Sequence, residues 1–541
     1  MTGQFYFALT MFAGGPLGGM WRRLTDRTFV GMYQTNAFDL AMMLPYFLVL
    51  FVLAMYGIHR YVMVYHFFKY RRNTVPPAHE PAEWPKVTIQ LPIFNERYVV
   101  ERLVECVAQF DYPRDRMEIQ LLDDSTDETQ EVARDCVERF RQLGLPIVYL
   151  HRENRGGYKA GALQEGLKSA TGEFVAIFDA DFLPPADFLR RTIPYFSDRK
   201  LAMVQTRWTY INRNYSALTR VEAILLDGHF VIEHASRYRS GNFFNFNGTA
   251  GVWRRDAIDD AGGWQHDTLT EDTDLSYRAQ LRGWHFLYLP DIECPSELPV
   301  EMNAFKSQQA RWAKGLIQTA KKILPRVLRA DVPRHVKIEA FFHLTGNISY
   351  PLMVLLSIIL LPAMIVRFYQ GWFQVLVIDL PLFVASTCSI SSFYLTAQRE
   401  LFPREWKRTF LYLPFVMAVG IGLSVRNAVA VIEALAGHQS EFVRTPKYSI
   451  DGKKAAWSKK SYRKGAGWMP FVEVFLGLYF GVTVLYAVHA GNYATIPFLL
   501  LFVWGYLYTG LMSIGQVWFE RLGFSVESGE VRPAATGVPG F

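Results

Sequence analysis

Pairs of acidic residues follow short apolar runs between residues 85 and 335 of the chain. Asp123 and Asp124 end one such run, and Asp179 and Asp181 end a later one. Divalent cations such as Mg²⁺ or Mn²⁺ take carboxylate oxygens and keep further positions open for phosphate oxygens. The spacing of Asp179 and Asp181 therefore predicts a metal site. Turns and helix caps use the same residues for structural reasons alone, which is the competing explanation.

Three further groups in this region carry residue types suited to transfer chemistry on a phosphorylated substrate. Lys159 lies in the glycine-rich stretch 156–161, where its cation is a candidate phosphate contact. Asp272 is a candidate general base toward a hydroxyl, or else the N-cap of the helix that follows. Residues 308–312 (QQARW) place an arginine fork, which suits a diphosphate, beside a tryptophan face, which suits a sugar ring. The ordered occurrence of these groups on one domain indicates catalysis.

The elements that must position these residues alternate between strands and helices. Residues 87–94, 119–122 and 174–178 have the short apolar pattern of buried strands, and 96–109 has helical spacing. This alternation predicts a mostly parallel sheet with helices on both faces. Ligands of open α/β sheets bind beyond the carboxyl ends of the strands, where the acidic pairs lie. The sequence thus predicts an α/β domain with its site at one edge of the sheet.

The composition indicates that lipid surrounds part of the chain. Of 541 residues, 50% are hydrophobic and only 20% charged, and the formal net charge is +7. The lysines and arginines cluster beside apolar stretches, so the positive-inside rule explains them and no nucleic-acid partner is expected. The four cysteines form no CxxC pair, which argues against a zinc site or a disulfide framework. Six apolar stretches stand out, at 40–65, 340–367, 373–397, 410–434, 469–489 and 494–517.

The distribution of basic residues predicts which stretches cross the membrane. Both sides of 410–434 are basic, so this stretch is predicted to lie along the interface as an amphipathic or re-entrant helix while the other five span. The predicted organisation is an N-terminal segment 1–38, a first transmembrane helix 39–66, a cytoplasmic catalytic domain 85–335, two transmembrane helices in 338–400, an interfacial helix 408–435, a cytoplasmic loop 436–468, two transmembrane helices in 469–518 and a cytoplasmic tail 519–541. A channel or transporter with a soluble insert is the alternative, although such an insert would not need the catalytic residue types.

The ordered motifs resemble those of the processive, inverting family-2 glycosyltransferases of the cellulose synthase superfamily. The residues of several motifs are most similar to those of the plant cellulose-synthase-like glucomannan and xyloglucan-backbone synthases. The resemblance is strong over about residues 85–320 and looser in the membrane region. The motifs that carry it are PIFNE (92–96), LDDSTD (122–127), GYKAGAL (157–163), DAD (179–181), FNGTAG (246–251), TED (270–272), ELP (297–299) and QQARW (308–312).

The resemblance implies a GT-A domain joined to an α-helical transmembrane domain, a nucleotide-sugar donor, Mg²⁺ or Mn²⁺, and a membrane pore for the product. Mapped onto matching positions, it implies that Asp272, Glu271 and Asp181 are catalytic and that Asp179 and Asp181 hold the metal. The implied donor-binding residues are Phe94, Glu96, Asp123, Asp124, Lys159, Asp179, Gln308 and Arg311. The implied acceptor-binding residues are Phe246, Asn247, Gly248, Thr249 and Trp312. The implied gating-loop residues, within FVRTPK (442–447), are Arg444, Thr445 and Lys447.

The chain departs from the cellulose synthase pattern at three of these positions. Phe94, Asn247 and Arg444 stand where cellulose synthases usually have Tyr, Cys and Val. The first change keeps stacking but loses a hydroxyl. The second and third alter the expected acceptor and loop contacts.

The activity expected from the resemblance is processive polymerisation of a β-glucan from UDP-glucose, with passage of the polymer across the membrane. The stretch ECPSELP (293–299) favours glucose. GDP-mannose use, giving a mannan or glucomannan, and nonprocessive transfer to a lipid carrier are the alternatives. The expected partners are the donor, the nascent polysaccharide, membrane lipid and accessory secretion subunits. The expected location is the plasma membrane, the inner membrane in a bacterium, with a cytoplasmic catalytic domain.

Overall fold

A computed structural model describes residues 36–370, 380–439, 444–450, 467–521, 524–527 and 530–533. Several sequence predictions lie outside these ranges. They are the N-terminal segment up to residue 35, residues 373–379 of the third apolar stretch, Phe442 and Val443 of FVRTPK, most of the 436–468 loop, and most of the tail.

Seven strands form a single sheet with the order β3-β2-β1-β4-β6-β5-β7. Strand β6 runs antiparallel to β4 and β5, and the other neighbouring pairs are parallel. This confirms the predicted α/β domain with a mostly parallel sheet. The strands are β1 (Val87–Ile93), β2 (Met117–Asp123), β3 (Ile147–His151), β4 (Phe174–Ile177), β5 (Leu201–Tyr210), β6 (Gly251–Arg254) and β7 (His285–Ser296). A small hairpin, β8 (Phe524–Glu527) with β9 (Glu530–Pro533), follows the last helix.

Helices cover both faces of the sheet, because both faces of its central strands are apolar or internally hydrogen-bonded. On one face Val87, Ile89 and Leu91 are fully buried. On the other face, the Gln90 Nε2 donates to Gln120 Oε1 at 3.1 Å. The helices of this domain are α1 (Ala37–Lys69, entering from the membrane), α2 (Val100–Ala108), α3 (Thr129–Gln142), α4 (Tyr158–Ser169), α5 (Phe188–Thr192), α6 (Ala217–Gly228), α7 (Ala235–Arg239), α8 (Arg255–Asp260), α9 (Glu271–Leu281) and α10 (Met302–Arg329).

The sheet topology brings the predicted motifs to one edge. Strands β1, β2, β3, β4, β5 and β7 all point the same way, so their carboxyl ends meet there. Strand β6 is reversed, so its amino end, which follows the FNGTAG motif, lies at the same edge. One edge of the sheet therefore carries the residues after six strands and the residues before the seventh.

In the part of the chain that the structure describes, four helical stretches are long and apolar enough to cross a membrane. They are Ala37–Lys69, Arg334–Arg367, Met469–His489 and Tyr493–Trp518. Their outward faces expose large apolar side chains, as lipid-facing helices do. The protein is thus associated with a membrane. The helices of this part are α11 (Arg334–Thr345), α12 (Ser349–Gln370), α13 (Leu380–Phe383), α14 (Ser389–Leu401), α15 (Thr409–Gly422), α16 (Ser424–Leu435), α17 (Met469–His489) and α18 (Ile496–Arg521).

The stretch predicted to be interfacial folds as two helices with a sharp bend. Trp406–Gly422 and Ser424–Leu435 meet at 42°, a geometry shared by broken spans and re-entrant loops. Their polar residues face protein: Asn427 is buried, and Glu433 binds Lys314 of α10 at 2.7 Å. The second half of the stretch therefore packs on the catalytic domain. The sidedness of the stretch stays a prediction.

Single cysteines on either side of the bent pair would test that sidedness. Glu405→Cys and His438→Cys both introduce exposed thiols, whereas Ile450 is buried and would not react. We expect a membrane-impermeant maleimide to label both new cysteines from the cytoplasmic side, because the predicted stretch does not cross. Labelling would be read by peptide mass spectrometry, with the four native cysteines replaced by serine. Labelling of the two positions from opposite sides would contradict the interfacial assignment.

Candidate active site

A cavity of about 190 Å³ lies at the edge of the sheet that carries the motifs. Most of the sequence-predicted site residues line it, although they are spread over more than 350 positions of the chain. These are Phe94, Glu96, Asp124, Lys159, Asp179, Asp181, Asn247, Gly248, Glu271, Asp272, Gln308, Arg311, Trp312, Arg444, Thr445 and Lys447.

Three predicted residues lie behind the wall of this cavity. Asp123 is fully buried and accepts hydrogen bonds from the Tyr149 hydroxyl at 2.6 Å and from the Ser125 backbone N–H at 2.8 Å. Phe246 is fully buried with its ring edge against Trp253, and the Thr249 hydroxyl accepts from the Asp179 N–H at 2.9 Å. The structure gives these three side chains supporting contacts in place of contact with the cavity.

Two lysines flank the carboxylates of the DAD motif. Lys159 forms an ion pair with Asp179 and donates to the Gly248 carbonyl at 2.8 Å. Lys447, from the far end of the chain, donates to Asp181 Oδ2 at 2.7 Å. Burial opposes the charge on Lys159, but Asp179 and Glu271 outweigh it and raise the pKa of its ammonium group. Each carboxylate of the DAD motif therefore has a lysine as its partner.

Glu271 and Asp272 lie in the first turn of α9, with their side chains in the cavity wall. Asp272 Oδ1 accepts a hydrogen bond from the Thr273 N–H at 2.6 Å. Burial raises the pKa of Asp272 well above its usual range, and the charge of Glu271 raises it further. A carboxyl group with a raised pKa is a stronger base than an ordinary aspartate, which is what abstraction of a hydroxyl proton needs.

The TED segment is held against α10 by close contacts. The Leu269 N–H donates to Gln318 Oε1 at 2.9 Å, and the Thr270 and Thr319 hydroxyls are 3.0 Å apart. A β-carbon on Gly315 would stand 2.6 Å from the Thr270 methyl group, so only glycine permits this approach. Sequence reasoning missed Gly315 and Gln318. Their signal was their position one and two turns after the QQARW motif on the same helix.

The QQARW motif places its side chains on two sides of the cavity wall. Gln308, Arg311 and Trp312 line the small cavity, while Gln309 and again Trp312 line a larger one. Burial lowers the pKa of the Arg311 guanidinium, and the nearby carboxylates of Glu271 and Asp179 oppose that effect. Arg311 is thus a buried cation that carboxylates surround.

The far end of the cavity is aromatic and acidic. The Arg155 guanidinium lies 3.4 Å from the centre of the Phe94 ring, a cation–π contact. Arg152 holds Asp124 through its Nε at 2.8 Å. Burial raises the pKa of Glu96 to about 7, although Arg444 opposes the shift. Arg152 and Arg155 were not predicted, since nothing in their spacing marks them out from other surface arginines.

Residues 444–450 cover the cavity and are fastened to Glu297 of the ELP motif. Arg444 donates to the carbonyls of Phe94 and Asn95. The Tyr448 N–H donates to Glu297 Oε1 at 2.8 Å and the Ile450 N–H to Glu297 Oε2 at 3.2 Å. The sequence analysis named Glu297 only as part of the ELP motif. Its role was missed because the segment that it contacts lies about 150 residues further along the chain.

A second, larger cavity of about 950 Å³ adjoins the first. It extends from Asp272, Trp312 and Asn247, which line both cavities, to residues of the apolar helices such as Tyr46 and Phe502. The space among the membrane helices therefore adjoins the catalytic-domain cavity at these shared side chains.

A GT-A-like sheet, a charged cavity at its edge and the apolar helices define a membrane-associated glycosyltransferase that uses a nucleotide-sugar donor. Residues 85–315 match the family model described as glycosyltransferase like family 2. The chain is 38% identical over 411 residues to glucomannan 4-beta-mannosyltransferase 1 of Oryza sativa subsp. japonica, covering 73% of this chain and 76% of that protein. It is 36% identical over 409 residues to glucomannan 4-beta-mannosyltransferase 2 of Arabidopsis thaliana, covering 73% and 74%.

The chain belongs to glycosyltransferase family 2, in the cellulose-synthase-like group of these relatives. The family membership that the sequence motifs predicted is therefore confirmed. Among solved structures, it is similar to the mannosyltransferase PcManGT from Pyrobaculum calidifontis in complex with GDP-Man and Mn²⁺, at 21% identity and a TM-score of 0.48, covering 66% of this chain and 100% of that one.

Proposed function

We propose that the protein is a processive, inverting β-mannosyltransferase that uses GDP-mannose to extend a β-mannan or glucomannan. The rice and Arabidopsis relatives, whose names state a glucomannan 4-beta-mannosyltransferase activity, support this choice of sugar. They favour GDP-mannose, the alternative donor of the sequence analysis, over UDP-glucose. The glucose preference drawn from the stretch ECPSELP has no support from these relatives.

The shared lining of the two cavities is the observation that carries the polymerase proposal. Asp272, Trp312 and Asn247 line both the 190 Å³ cavity and the 950 Å³ cavity. A growing chain whose end lies at Asp272 would therefore have its earlier sugars in the space among the membrane helices. An enzyme that releases each product has no need of such a space, so the arrangement supports processive synthesis with passage of the polymer into the membrane.

Asp179 and Asp181 are the residues that would hold a divalent cation. Within the described residues, no group of three or more His, Cys, Asp or Glu side chains could hold a metal ion by itself. Two carboxylates fit a Mg²⁺ or Mn²⁺ ion that keeps its other positions for diphosphate oxygens and water. The Lys447 ammonium group lies 2.7 Å from Asp181, so this carboxylate already binds one positive charge. When bound, the ion would offset the charge of the leaving diphosphate.

In this proposal the chain's own residues divide the reaction between them. Asp272 accepts the proton of the acceptor hydroxyl as that oxygen attacks the anomeric carbon from the face opposite the diphosphate. Arg311 and Lys159 stabilise the negative charge that develops on the diphosphate. Trp312 offers a flat face for the terminal acceptor sugar. Phe94 and Arg155 frame the nucleoside, and Arg444 to Lys447 close over the donor.

The proposed setting follows from the basic residues and the apolar helices. The catalytic domain and the 444–450 segment lie in the cytoplasm, where nucleotide sugars are supplied, and the helices lie in the plasma membrane. Membrane lipid, the nascent polysaccharide and accessory secretion subunits are the proposed partners.

A comparison of donors tests the proposed function. Membranes containing the protein would be incubated separately with radiolabelled GDP-mannose and UDP-glucose, and the insoluble product submitted to linkage analysis. We expect β-linked mannose polymer from GDP-mannose and about tenfold less incorporation from UDP-glucose, because the relatives named as mannosyltransferases match 73% of this chain. Membranes containing the Asp272→Asn variant are the matched control. Glucan from UDP-glucose alone would contradict the donor assignment.

A further inference from the structure

Two histidines form hydrogen bonds with the side chain of Asn247, which lies between the two cavities. His229 Nε2 lies 3.0 Å from Asn247 Oδ1, and His234 Nε2 lies 2.5 Å from Asn247 Nδ2. Asn245 Nδ2 adds a third contact, donating to Asn247 Oδ1 at 3.2 Å. Both histidines come from a π-helical segment, His229–His234, whose wider turn brings them to the same side of the chain.

The hydrogen-bond pattern fixes the orientation of the amide. Asn247 Nδ2 donates to His234 Nε2, so the proton of that ring lies on Nδ1. Burial lowers the pKa of His234 well below its usual range, which keeps the ring neutral as this contact requires. Asn247 Oδ1 accepts from His229 and Asn245. Turning the amide over would set donor against donor at two contacts and acceptor against acceptor at the third.

The histidine that donates is itself anchored from two membrane helices. His229 Nδ1 donates to Glu233 Oε2 at 2.8 Å, so in this pattern both ring nitrogens donate and the ring is an imidazolium ion paired with the Glu233 carboxylate. Arg237 lies 3.5 Å from the same oxygen. Arg237 Nε donates to Glu339 Oε1 at 2.8 Å, and Glu339 Oε2 lies 2.8 Å from His59 Nε2. Glu339 and His59 belong to α11 and α1. This chain of ion pairs and hydrogen bonds leaves His229 little freedom to turn.

The held amide has one hydrogen-bonding group left for a ligand. Both lone pairs of Asn247 Oδ1 are used by His229 and Asn245, and one Nδ2 hydrogen is used by His234. The second Nδ2 hydrogen has no acceptor among the described residues. Asn247 lines both cavities, and its neighbour Gly248 lies so close that a β-carbon there would be 3.2 Å from Asp272 Oδ2. That hydrogen is thus available beside the proposed base.

We propose that His229 and His234 are positioning residues that hold the Asn247 amide as a fixed N–H donor toward a hydroxyl of the acceptor sugar, and that this donor selects acceptors by the orientation of their 2-hydroxyl. The inference rests on the proposed function, since it assumes a hexose acceptor at Asp272. Mannose and glucose differ only in whether the 2-hydroxyl is axial or equatorial. One donor of fixed direction can satisfy one of these arrangements better, whereas a freely turning amide would serve both.

Primer competition with the purified full-length enzyme tests this selection. The values of kcat/KM would be measured for β-1,4-linked tetrasaccharides of mannose and of glucose, with GDP-mannose as donor. His234→Leu removes the acceptor that orients the amide and should lower the mannose-to-glucose primer ratio about tenfold, through the KM of the mannose primer. His234→Gln keeps an acceptor atom there and should restore the ratio to within about twofold of the wild type. The KM for GDP-mannose should not change in either variant.

Two further variants separate positioning from a loss of fold. Asn247→Asp keeps the size of the side chain but replaces the N–H donor with oxygen, so it should lower the same ratio by about the same factor. His343→Gln alters another histidine of the larger cavity, one that bonds to Tyr277 and makes no contact with Asn247. It should leave the ratio unchanged.

The outcomes distinguish the inference from the proposed function. An unchanged primer ratio in both His234→Leu and Asn247→Asp would overturn the inference while leaving the mannosyltransferase proposal intact. An equal change in His343→Gln would also overturn it, since the effect would then come from the cavity as a whole. A wild-type enzyme that extends neither primer would overturn the proposed function itself.

Discussion

Asp272→Asn should lower polymer synthesis by about 10²–10⁴-fold, the usual contribution of a general base, while GDP-mannose binding survives. Asparagine keeps the size of the side chain and its hydrogen bond from Thr273, but it cannot take a proton from the acceptor hydroxyl. The structure rules out Asp272 as the N-cap of α9, because that position is Thr270. If Asp272 only accepted the Thr273 N–H in the first turn of the helix, asparagine would serve as well and the change would be nearly silent. Initial rates and donor affinity, measured on the same purified sample, separate the two cases.

Asp267→Asn is the matched control for this prediction. Asp267 lies on the same loop but is exposed, with its carboxylate 2.7 Å from Lys322 and outside both cavities. We expect this variant to keep its activity to within about twofold, as is usual for an exposed ion pair. Near-normal synthesis by Asp272→Asn would rule out its catalytic role, and lost nucleotide binding would place Asp272 in the donor site instead.

The raised pKa of Asp272 also predicts the direction of the pH dependence. A general base works only when deprotonated, so the rate falls as pH drops through its pKa. Burial and Glu271 raise that pKa, so the fall should begin at a higher pH than the value of about 4 of an ordinary aspartic acid. An acid limb in the pH profile of kcat/KM at the ordinary aspartate value would contradict the assignment of Asp272 as the titrating base.

Asp181→Asn should lower activity by about 10²-fold or more, because it removes one of the two carboxylates proposed to hold the divalent cation. Asparagine offers one neutral oxygen in place of a charged pair, so Mn²⁺ should bind more weakly and GDP-mannose with it. Mn²⁺ titration by electron paramagnetic resonance gives a readout that does not depend on turnover. The same change also removes the partner of Lys447.

Asp187→Asn is the matched control for the metal prediction. Asp187 follows the same strand but is exposed and pairs with Arg191 at 3.7 Å. It should leave Mn²⁺ affinity and activity unchanged. Full activity of the wild type in excess EDTA would contradict a metal at Asp179 and Asp181, whatever the variants do.

Much of the site could be predicted because its residues follow strands. An apolar run of four to eight residues identifies each of these strands, and a mostly parallel sheet then brings the residues after the strands to one edge. Asp124, Asp179 and Asp181 reached the cavity on that argument. The same argument does not predict the direction of an individual side chain, since adjacent residues at a strand end point to different sides. Asp123 accordingly turns inward while Asp124 lines the cavity.

Long-range contacts were beyond the sequence argument. Glu297 is fixed by backbone N–H groups of residues 448 and 450, and no local pattern predicts that pairing. The hydrogen bonds of His229 and His234 to Asn247 depend on a π-helical turn, which has no clear sequence signal. In an ordinary α-helix, residues five apart do not lie on the same face. The sequence allowed an amphipathic or a re-entrant helix over 410–434, but it gave no signal for the position of the bend between Gly422 and Ser424.

The most direct test of the account is synthesis by the purified full-length protein in sealed vesicles. With GDP-mannose supplied outside and the catalytic domain facing outward, the account predicts long β-mannan chains inside the vesicles even when little donor has been used. An endo-β-1,4-mannanase added outside should then digest the product only after the vesicles are opened by detergent. Short oligosaccharides outside the vesicles, or mannose attached to lipid, would contradict processive synthesis and passage of the polymer through the protein.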